Sequence, residues 1–307
     1  MLGRDEWLER VASIRQYQKG GERAPHKPLL LLYSLGRLHN VGRSKVAYAD
    51  AEAPLLELLE SFGPPRPTTP AYPFRRLAND EGLWTLETAT GELPTDSAGN
   101  LKELQTSGRL DPEFEAALLD DPGMLASVAR YLLDDNWPES LHADIADAVG
   151  LDLDGLEADL ARSRLAADKE EVSRRKRDPR FRERVLVAYE RQCAFCGYDG
   201  RLDSSTIGLD AAHIRWHGFD GTDTVDNAVC LCVFHHRLLD RGAMGIAPEL
   251  TVQVSAHFVG RGDVAARLVL ERAGAPLLGP QLGEPAPSED NVEWHLREVF
   301  REPARQA

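Results

Sequence analysis

The sequence predicts an α+β protein with a mainly helical N-terminal domain and a smaller C-terminal domain stapled by a metal ion. Three observations lead to this prediction. The chain has 307 residues, more than one average domain. Apolar residues at helical spacing dominate its first half, and all four cysteines fall between positions 193 and 232. We expect domains over 1–165 and 181–307, joined by a basic linker over 166–180.

Composition excludes a membrane protein and favours an intracellular one. The chain is 42% hydrophobic and 28% charged, and no apolar run approaches the ~18 residues that a membrane span requires. The first ten residues, MLGRDEWLER, carry acids where a signal peptide needs a basic start and an apolar core. Without an export signal, clustered cysteines indicate metal binding rather than disulfides. We therefore expect a cytoplasmic location.

The charge distribution is uneven. A net charge of −14 argues against a protein that coats nucleic acid indiscriminately, although local fields decide whether DNA is bound. Residues 174–184 (RRKRDPRFRER) hold 7 basic side chains against 2 acids. Such a run is either a solvated helix face or a DNA-facing surface. Its position just before the cysteines favours DNA.

The N-terminal domain is predicted to contain several helices and little sheet. One helix is entered through Pro28, and Pro54 opens a shorter helix that ends near Leu59. The proline-rich run 63–74 (GPPRPTTPAYPF) is predicted to be a rigid loop. Residues 83–87 (LWTLE) are expected to form a strand. Further helices are predicted over 1–20, 112–119 and 122–135, with one or two more over 141–165.

The C-terminal domain is predicted to begin with an amphipathic helix that leads into the first cysteine pair. Two short strands are expected around 209–214, and a helix is expected to begin near Phe234. Residues 250–258 (LTVQVSAHF) alternate as a strand does, and NVEWHLREVF is predicted to be a final helix.

Two short motifs predict a structural zinc site. Cys193 and Cys196 form a CxxC, whose thiolates on a tight turn can take two corners of a tetrahedral zinc. Cys232 and His235 supply a second pair at the same spacing. Cys230 is the alternative ligand, but Cys232 fits better because its spacing to His235 repeats that of the first pair. The four residues therefore form a predicted closed zinc site.

The region between these pairs resembles the HNH, or ββα-metal, nucleases. The resemblance covers about 65 residues and rests on CAFC, AHI, DNAVCLC and HHRLLDRG in order. It implies that His213 is the general base, that His236 holds a catalytic divalent ion, and that Asn227 keeps His213 aimed or touches the metal's shell. That ion is expected to be Mg²⁺ or Mn²⁺.

One position departs from the pattern of this family. The residue before the base histidine is often an acidic metal ligand, and here it is Ala212. Strand alternation places Asp210 on the same face, so Asp210 either replaces this ligand or is a structural carboxylate. His217 is either a second ligand or DNA contact, or an exposed loop histidine.

The N-terminal part resembles the sulfur-binding domain of McrA-type restriction endonucleases, which recognise phosphorothioated DNA. The resemblance spans roughly 165 residues through RAPHKPLLLLYSLGRL and TTPAYPFRRLANDEGLWTL. Sulfur in place of a phosphate oxygen is large and poorly hydrated, so an apolar cup beside cations should recognise it. The candidate cup residues are Tyr72, Pro73 and Phe74. The candidate phosphate or base contacts are Arg23, His26, Lys27, Arg75, Arg76 and Arg109.

Together, the two resemblances imply a modification-dependent, type IV-like restriction endonuclease that binds phosphorothioated double-stranded DNA and cuts it nearby. A homodimer is expected, because one HNH site cuts one strand. Two alternatives remain. The chain could be a zinc-containing DNA-binding regulator without cleavage, or an HNH nuclease directed to methylated bases.

Overall fold

The computed structural model describes residues 2–16, 18–19, 22–153, 155, 158, 178 and 180–306. The chain forms two compact units, Met1–Glu171 and Val172–Ala307. Most of the predicted linker, 166–177 and 179, lies outside the described residues. The linker boundaries therefore stay a prediction.

Unit 1 is mainly helical and contains one small sheet. Its helices are α1 Arg4–Ala12, α2 His26–Val41, α3 Tyr48–Phe62, α4 Ala71–Arg76, α5 Ala98–Glu103, α6 Pro112–Asp120, α7 Pro122–Asn136 and α8 Glu139–Val149. Its strands are β1 Gln18–Lys19, β2 Glu22–Arg23, β3 Val46–Ala47, β4 Trp84–Glu87 and β5 Ser107–Leu110. The last three form an antiparallel sheet in the order β3-β5-β4, and β1 pairs with β2.

Helix α2 is the centre of unit 1. Leu29 to Leu32 are completely buried, as expected for a helix that is covered on several sides. Gly36 is required where α2 meets α8, because a Cβ there would lie 1.8 Å from the backbone oxygen of Val149. The helix ends at Gly42, whose φ of 73° is the left-handed conformation that glycine adopts without strain.

Three predicted element boundaries in unit 1 are wrong. The helix expected over 1–20 covers only Arg4–Ala12, and Gln18–Lys19 forms strand β1 instead. Pro54 does not open a helix but lies inside α3, which begins six residues earlier at Tyr48. An interior proline costs a helix about 3 kcal/mol. Helix α3 tolerates this cost because one face, including Leu55, Leu58 and Leu59, is buried in the core.

The third correction concerns the proline-rich run. Its last four residues are not loop, because Ala71 starts the short helix α4, in which Pro73 occupies the first turn. A proline is compatible with that turn, since the first amide groups of a helix have no partner inside the helix. The strand prediction for 83–87 and the helices over 112–119 and 122–135 are confirmed to within one or two residues.

Unit 2 is built around one antiparallel strand pair and the helices on either side. Its helices are α9 Phe181–Ala188, α10 Val233–Asp240, α11 Asp263–Leu268 and α12 Glu289–Glu298. Its strands are β6 Arg201–Leu202, β7 Ser205–Thr206, β8 Leu209–His213, β9 Ala228–Cys232, β10 Met244–Ile246 and β11 Val252–Val254. Strand β8 pairs with β9, and this pair packs against α9 and α10.

The order of these elements is the ββα pattern that the sequence predicts. Strand β9 runs straight into α10, so Cys232 ends the strand and caps the helix. The predicted strand over 250–258 is shorter than expected, because only Val252–Val254 pairs with a neighbouring strand. Among the described residues, no helix is long and apolar enough to cross a membrane.

Candidate metal centre and active site

Four side chains in unit 2 converge in a way that could hold a metal ion. The ligand atoms of Cys193, Cys196, Cys232 and His235 all lie within 4.8 Å of one another. The Nδ1 atom of His235 is 3.2 Å from the Sγ atom of Cys232 and 3.5 Å from that of Cys193. Zinc–sulfur bonds of about 2.3 Å and zinc–nitrogen bonds of about 2.0 Å give similar separations in a tetrahedral site. The donor set therefore fits zinc.

The surroundings of the cluster orient the ring of His235 and lower the pKa of the Cys193 thiol, whereas hydrogen bonds to Cys193 and Cys196 raise the pKa of Cys232. His235 Nε2 lies 2.8 Å from the carbonyl oxygen of Leu268, to which it can donate its hydrogen. That hydrogen bond leaves the Nδ1 lone pair directed at the thiols, as metal-binding histidines require. Hydrogen bonds from Cys196 and Cys232 lower the pKa of Cys193, which favours the thiolate.

Cys230 lies outside the cluster. It is fully buried two residues before Cys232 on β9, where it pairs with Ala211 of β8. Alternation along β9 directs neighbouring side chains to opposite faces, so residues 230 and 232 share a face and differ in position along the strand. Burial is the main reason that the pKa of Cys230 is raised to about 12. Of the two alternatives weighed from the sequence, the geometry brings Cys232 to His235.

His213 is held between an aromatic ring and a carboxylate. It is the last residue of β8, and its Nε2 atom lies 2.8 Å from Oδ1 of Asp223. Its ring stacks on Phe181 of α9, with centroids 4.3 Å apart and planes inclined by 21°. His217, the nearby loop histidine, has its ring centroid 6.3 Å from that of His213.

Asn227 closes the loop that follows β8. Its side-chain oxygen accepts a hydrogen bond from the amide of Arg215 at 2.9 Å. Its amide nitrogen donates to the carbonyl oxygens of Arg215 and Thr222, at 3.0 and 2.9 Å. Asn227 is completely buried. It therefore holds together the two ends of the segment 215–222, which lies between His213 and Asp223.

His236 lies between two carboxylates. Its Nδ1 atom is 3.4 Å from Oδ2 of Asp210 on β8, and its Nε2 atom is 3.2 Å from Oδ2 of Asp240, one turn later on α10. Asp240 is buried, whereas the side chain of Asp210 is 40% exposed. Burial alone would lower the pKa of His236, but Asp240 and Asp210 outweigh burial and raise it. The hydrogen bond that Asp210 accepts from His236 lowers the pKa of Asp210.

This arrangement is suited to a divalent ion on the exposed side of His236. A metal ion bound here would replace the hydrogen that Nδ1 shares with Asp210, while Asp240 accepts the hydrogen on Nε2 and so keeps the ring in the ligand tautomer. Nδ1 of His236 and Oδ2 of Asp210, which lie 3.4 Å apart, are then two adjacent ligand atoms. Among the described residues, however, only the Cys193–His235 cluster gathers three or more such ligands. The residues thus offer two protein ligands, as is common for Mg²⁺.

Sequence reasoning missed two carboxylates in this site. Asp240 was recognisable, because its spacing of four residues from His236 places both on one helix face. Asp223 carries no such signal: it is one of several acids in the loop 220–226, and only the folded loop brings it to His213.

The predicted sulfur cup is only partly at the surface. Tyr72 is 45% exposed, and the guanidinium carbon of Arg76 lies 4.7 Å from the centre of its ring. Phe74 is fully buried and makes edge-on contacts with Tyr48 and Trp84. Pro73 is buried as well. The inclusion of Pro73 and Phe74 in an exposed cup is therefore corrected, because both side chains belong to the interior of unit 1.

His26 lies at the proline-rich run. Its Nδ1 atom is 3.5 Å from Oγ1 of Thr68, so the start of α2 and the residues before α4 are neighbours. Burial, followed by the nearby Arg66, lowers the pKa of His26 to about 4. The ring is therefore uncharged near neutral pH. An uncharged, half-buried imidazole is compatible with a poorly hydrated sulfur.

The predicted basic contacts of unit 1 already have partners within the unit. Lys27 contacts Asp80, Arg75 contacts the carbonyl of Pro94, Arg76 contacts Asp96, and Arg109 contacts Glu115, at N···O distances of 2.5, 2.6, 2.6 and 3.2 Å. Glu115 also accepts a hydrogen bond from Ser44. These side chains are held in place, but DNA phosphates must compete with the acids for them.

Two predicted basic features are only partly described. Arg23 lies in β2, and the placement of its side chain is outside the description. Residues 174–177 and 179 of the basic run also lie outside the described residues. Within the run, Arg182 donates to the carbonyl of Leu209, and Arg184 pairs with Asp178. These two arginines have structural contacts within unit 2.

Both halves of the chain match known families. Residues 4–154 match the model of the ScoMcrA-like DNA sulfur-binding domain, and residues 193–247 match that of the HNH endonuclease. The chain joins a DNA sulfur-binding domain to an HNH endonuclease domain. The predicted recognition, the α+β fold class and the enzyme class are confirmed: the chain carries an HNH endonuclease domain beside a domain of the sulfur-binding family.

Three solved structures are similar to parts of the chain. The sulfur-binding domain of SprMcrA complexed with phosphorothioated DNA shares 26% identity, with a TM-score of 0.43 over 50% of this chain and 96% of that one. The type IV phosphorothioation-dependent endonuclease ScoMcrA shares 22%, with 0.38 over 47% and 27%. The modification-dependent TagI endonuclease shares 24%, with 0.29 over 39% and 37%. No curated protein matches the chain.

Proposed function

We propose that this chain recognises phosphorothioated double-stranded DNA through unit 1 and hydrolyses phosphodiester bonds nearby through unit 2. The observation that carries the proposal is the presence of a DNA sulfur-binding domain and an HNH endonuclease domain on one chain. In this proposal the sulfur-binding domain binds the modified DNA, and the HNH domain cuts it.

His213 is the proposed general base for cutting. It takes a proton from a water molecule, whose oxygen then bonds to phosphorus while the bond to the 3′ oxygen breaks and its electron pair stays on that oxygen. Imidazole suits this task because it titrates near working pH. The proposal is supported by the position of His213 at the end of β8, beside Asp223 and the loop closed by Asn227.

Asp210 and His236 are the proposed ligands of a catalytic Mg²⁺ or Mn²⁺, with Asp240 orienting the His236 ring. When bound, such an ion supplies charge neutralisation at the phosphate and at the departing oxygen. Cys193, Cys196, Cys232 and His235 are the proposed ligands of a structural Zn²⁺. Because His235 and His236 are adjacent, the zinc site fixes the start of the helix that carries the second histidine.

Recognition is proposed to use the surface where α2 and α4 meet. Tyr72 and His26 form the sulfur contact in this proposal, and the buried residues Pro73 and Phe74 hold the short helix that carries Tyr72. Arg23, Lys27, Arg75, Arg76 and Arg109 are the proposed contacts to phosphates or base edges. The arginines suit this role because their planar guanidinium groups can bind phosphate or guanine with two hydrogen bonds.

We also propose that the enzyme acts as a homodimer in the cytoplasm. A single HNH site cuts one strand, so a double-strand break requires two sites on opposite strands. The four cysteines are all free thiols, which suits a reducing compartment.

The decisive experiment compares two plasmids that are identical except for phosphorothioate at the same sites. Each is incubated with the full chain, Zn²⁺-loaded, in Mg²⁺ and separately in Mn²⁺. Cleavage of the modified plasmid alone is the expected result, and His213→Ala should abolish it while DNA binding is retained.

The other outcomes separate the alternative functions. Equal cleavage of both plasmids would remove the sulfur specificity and leave the nuclease. Binding without cleavage in either metal would favour a regulator. A third plasmid, methylated at cytosine and free of phosphorothioate, tests the methylation alternative, and its selective cleavage would replace the sulfur-dependent function.

A further inference from the structure

The position of Asp223 gives it a role that the sequence pattern does not assign. We propose that Asp223 is a positioning residue that fixes the tautomer and direction of the His213 ring for DNA cleavage. This inference rests on the proposed function, in which His213 is the base.

The contact between the two side chains is direct and largely shielded from solvent. Asp223 Oδ1 and His213 Nε2 are 2.8 Å apart, with side chains that are 14% and 17% exposed. Hydrogen bonds from the Asp178 amide and His213 outweigh desolvation and hold the pKa of Asp223 below its usual range. An ionised carboxylate only accepts hydrogen bonds, so the shared hydrogen belongs to His213 Nε2.

This assignment decides which nitrogen acts. A neutral imidazole carries one hydrogen, and if Nε2 holds it, the lone pair is on Nδ1. Nδ1 is then the atom that takes the proton of the water molecule. After the transfer, the ring carries a positive charge, and the Asp223 carboxylate stabilises that charge.

Asp223 is itself held from three directions. Its second oxygen, Oδ2, accepts a hydrogen bond from the Asp178 amide at 2.7 Å. Its backbone carbonyl accepts one from Nη2 of Arg184 at 2.7 Å, and Arg184 also pairs with Asp178. On the other side, Asn227 donates to the carbonyl of Thr222, the residue before Asp223. The carboxylate therefore has a fixed place at the end of the loop.

These contacts give Asn227 an indirect connection to the base. Its side chain bonds to the backbone of Arg215 and Thr222, and the bond to Thr222 fixes the backbone next to Asp223. With Phe181 stacked on the His213 ring, the ring plane and the Nε2 direction are both determined. Tautomer and direction are the two properties that a general base needs.

The test combines kinetics with a spectroscopic readout. Asp223→Ala and Asp223→Asn are compared with wild type on the phosphorothioated plasmid. We expect kcat to fall on the order of 100-fold, near the lower end of what a general base contributes, with little change in the Kd for DNA. Asp203→Asn is the matched control, because Asp203 is an exposed acid in the turn between β6 and β7; it should cut as wild type does.

Nitrogen NMR of the histidine side chains checks the tautomer without any substrate. The full chain is labelled with ¹⁵N-histidine, and the His213 signals are identified by their loss in His213→Gln. We expect a neutral ring with hydrogen on Nε2 in wild type and a mixture of tautomers in Asp223→Ala. Because this readout needs no cleavage, it stands even where the proposed nuclease function fails.

Two results would overturn the role of Asp223. One is an unchanged or increased kcat in both Asp223 variants, with wild type cutting normally. The other is a His213 tautomer that is the same in wild type and Asp223→Ala. Thermal unfolding of each variant separates these results from misfolding, and a misfolded Asp223→Ala leaves Asp223→Asn to decide the kinetic arm.

Discussion

The Cys193–His235 cluster of unit 2 and the proposed recognition surface of unit 1 differ in whether their polar side chains already have partners within the protein. In the cluster, three thiols and an imidazole approach one another within 4.8 Å. In the proposed recognition surface, each predicted lysine or arginine contact with a described side chain faces an acid or a carbonyl of the same unit, as Lys27 faces Asp80 and Arg76 faces Asp96. The first is a set of ligand atoms arranged for a cation, and in the second the lysine and arginine side chains already have partners within the protein.

The difference indicates how each region depends on its partner. Four metal-ligand atoms held this close are stabilised when a cation binds them, so metal binding should contribute directly to the folding of unit 2. The arginines and the lysine of unit 1 are held by partners within the unit, so they stay in place without DNA. DNA must displace acids from them, which reduces affinity but keeps the side chains ordered before binding.

Removing one cluster ligand should have the largest effect. Cys196→Ser should abolish the stoichiometric zinc and prevent stable folding of unit 2, because structural zinc contributes on the order of 10 kcal/mol. Metal analysis and urea unfolding of the full chain measure this. The control is Cys230→Ala, a buried thiol outside the cluster, which should keep the zinc and lose about 1–2 kcal/mol. Wild-type zinc content and stability in Cys196→Ser would contradict the assignment.

An intermediate effect is expected from replacing Asn227, whose side chain holds the two ends of the segment 215–222 together. Asn227→Ala leaves the amide and carbonyl of Arg215 and the carbonyl of Thr222 without their side-chain partner, so the free energy of unfolding should fall by about 3 kcal/mol. Cutting should be lost, while the zinc content is unchanged. Asn291→Ala is the comparison, since its 3.4 Å contact with the carbonyl of Asp226 is weak. Equal stability of the two variants would show that the loop does not depend on Asn227.

The smallest effect is expected from releasing a basic side chain of unit 1. Asp96→Asn removes the acid beside Arg76, and the affinity for a phosphorothioated duplex should rise about two- to five-fold, as expected for an exposed ion pair worth up to about 1 kcal/mol. The control Glu57→Gln removes the same charge from an exposed position on α3. Binding isotherms at several salt concentrations decide the matter: an equal gain in both variants would reflect net charge alone.

Much of the architecture could be predicted from local signals. Asp111 and Asp121, each followed by proline, mark the starts of α6 and α7, and both carboxylates accept hydrogen bonds from the helix amides. The spacing of the CxxC and CxxH pairs predicts the four residues that converge in unit 2. These signals work because their partners are only a few residues apart.

The errors have a common physical cause, which is tertiary packing. Pro54 is a poor helix residue, yet burial of its neighbours extends α3 past it in both directions. Phe74 belongs to a proline-rich run that predicts an exposed loop, yet its ring packs in the core between Tyr48 and Trp84. Asp223 reaches His213 only after the loop has closed, and a single sequence contains no record of that closure.

The carbonyl that accepts the His235 hydrogen belongs to Leu268, which lies outside the matched HNH segment of 193–247. Further along, the backbone of Val299 packs on Gly242, and His295 bonds to the carbonyl of Leu239. The matched segment of 55 residues is therefore not a complete structural unit by itself. A graft onto another recognition domain must include the residues through Val299. These later residues hold His235 and the end of α10 in place.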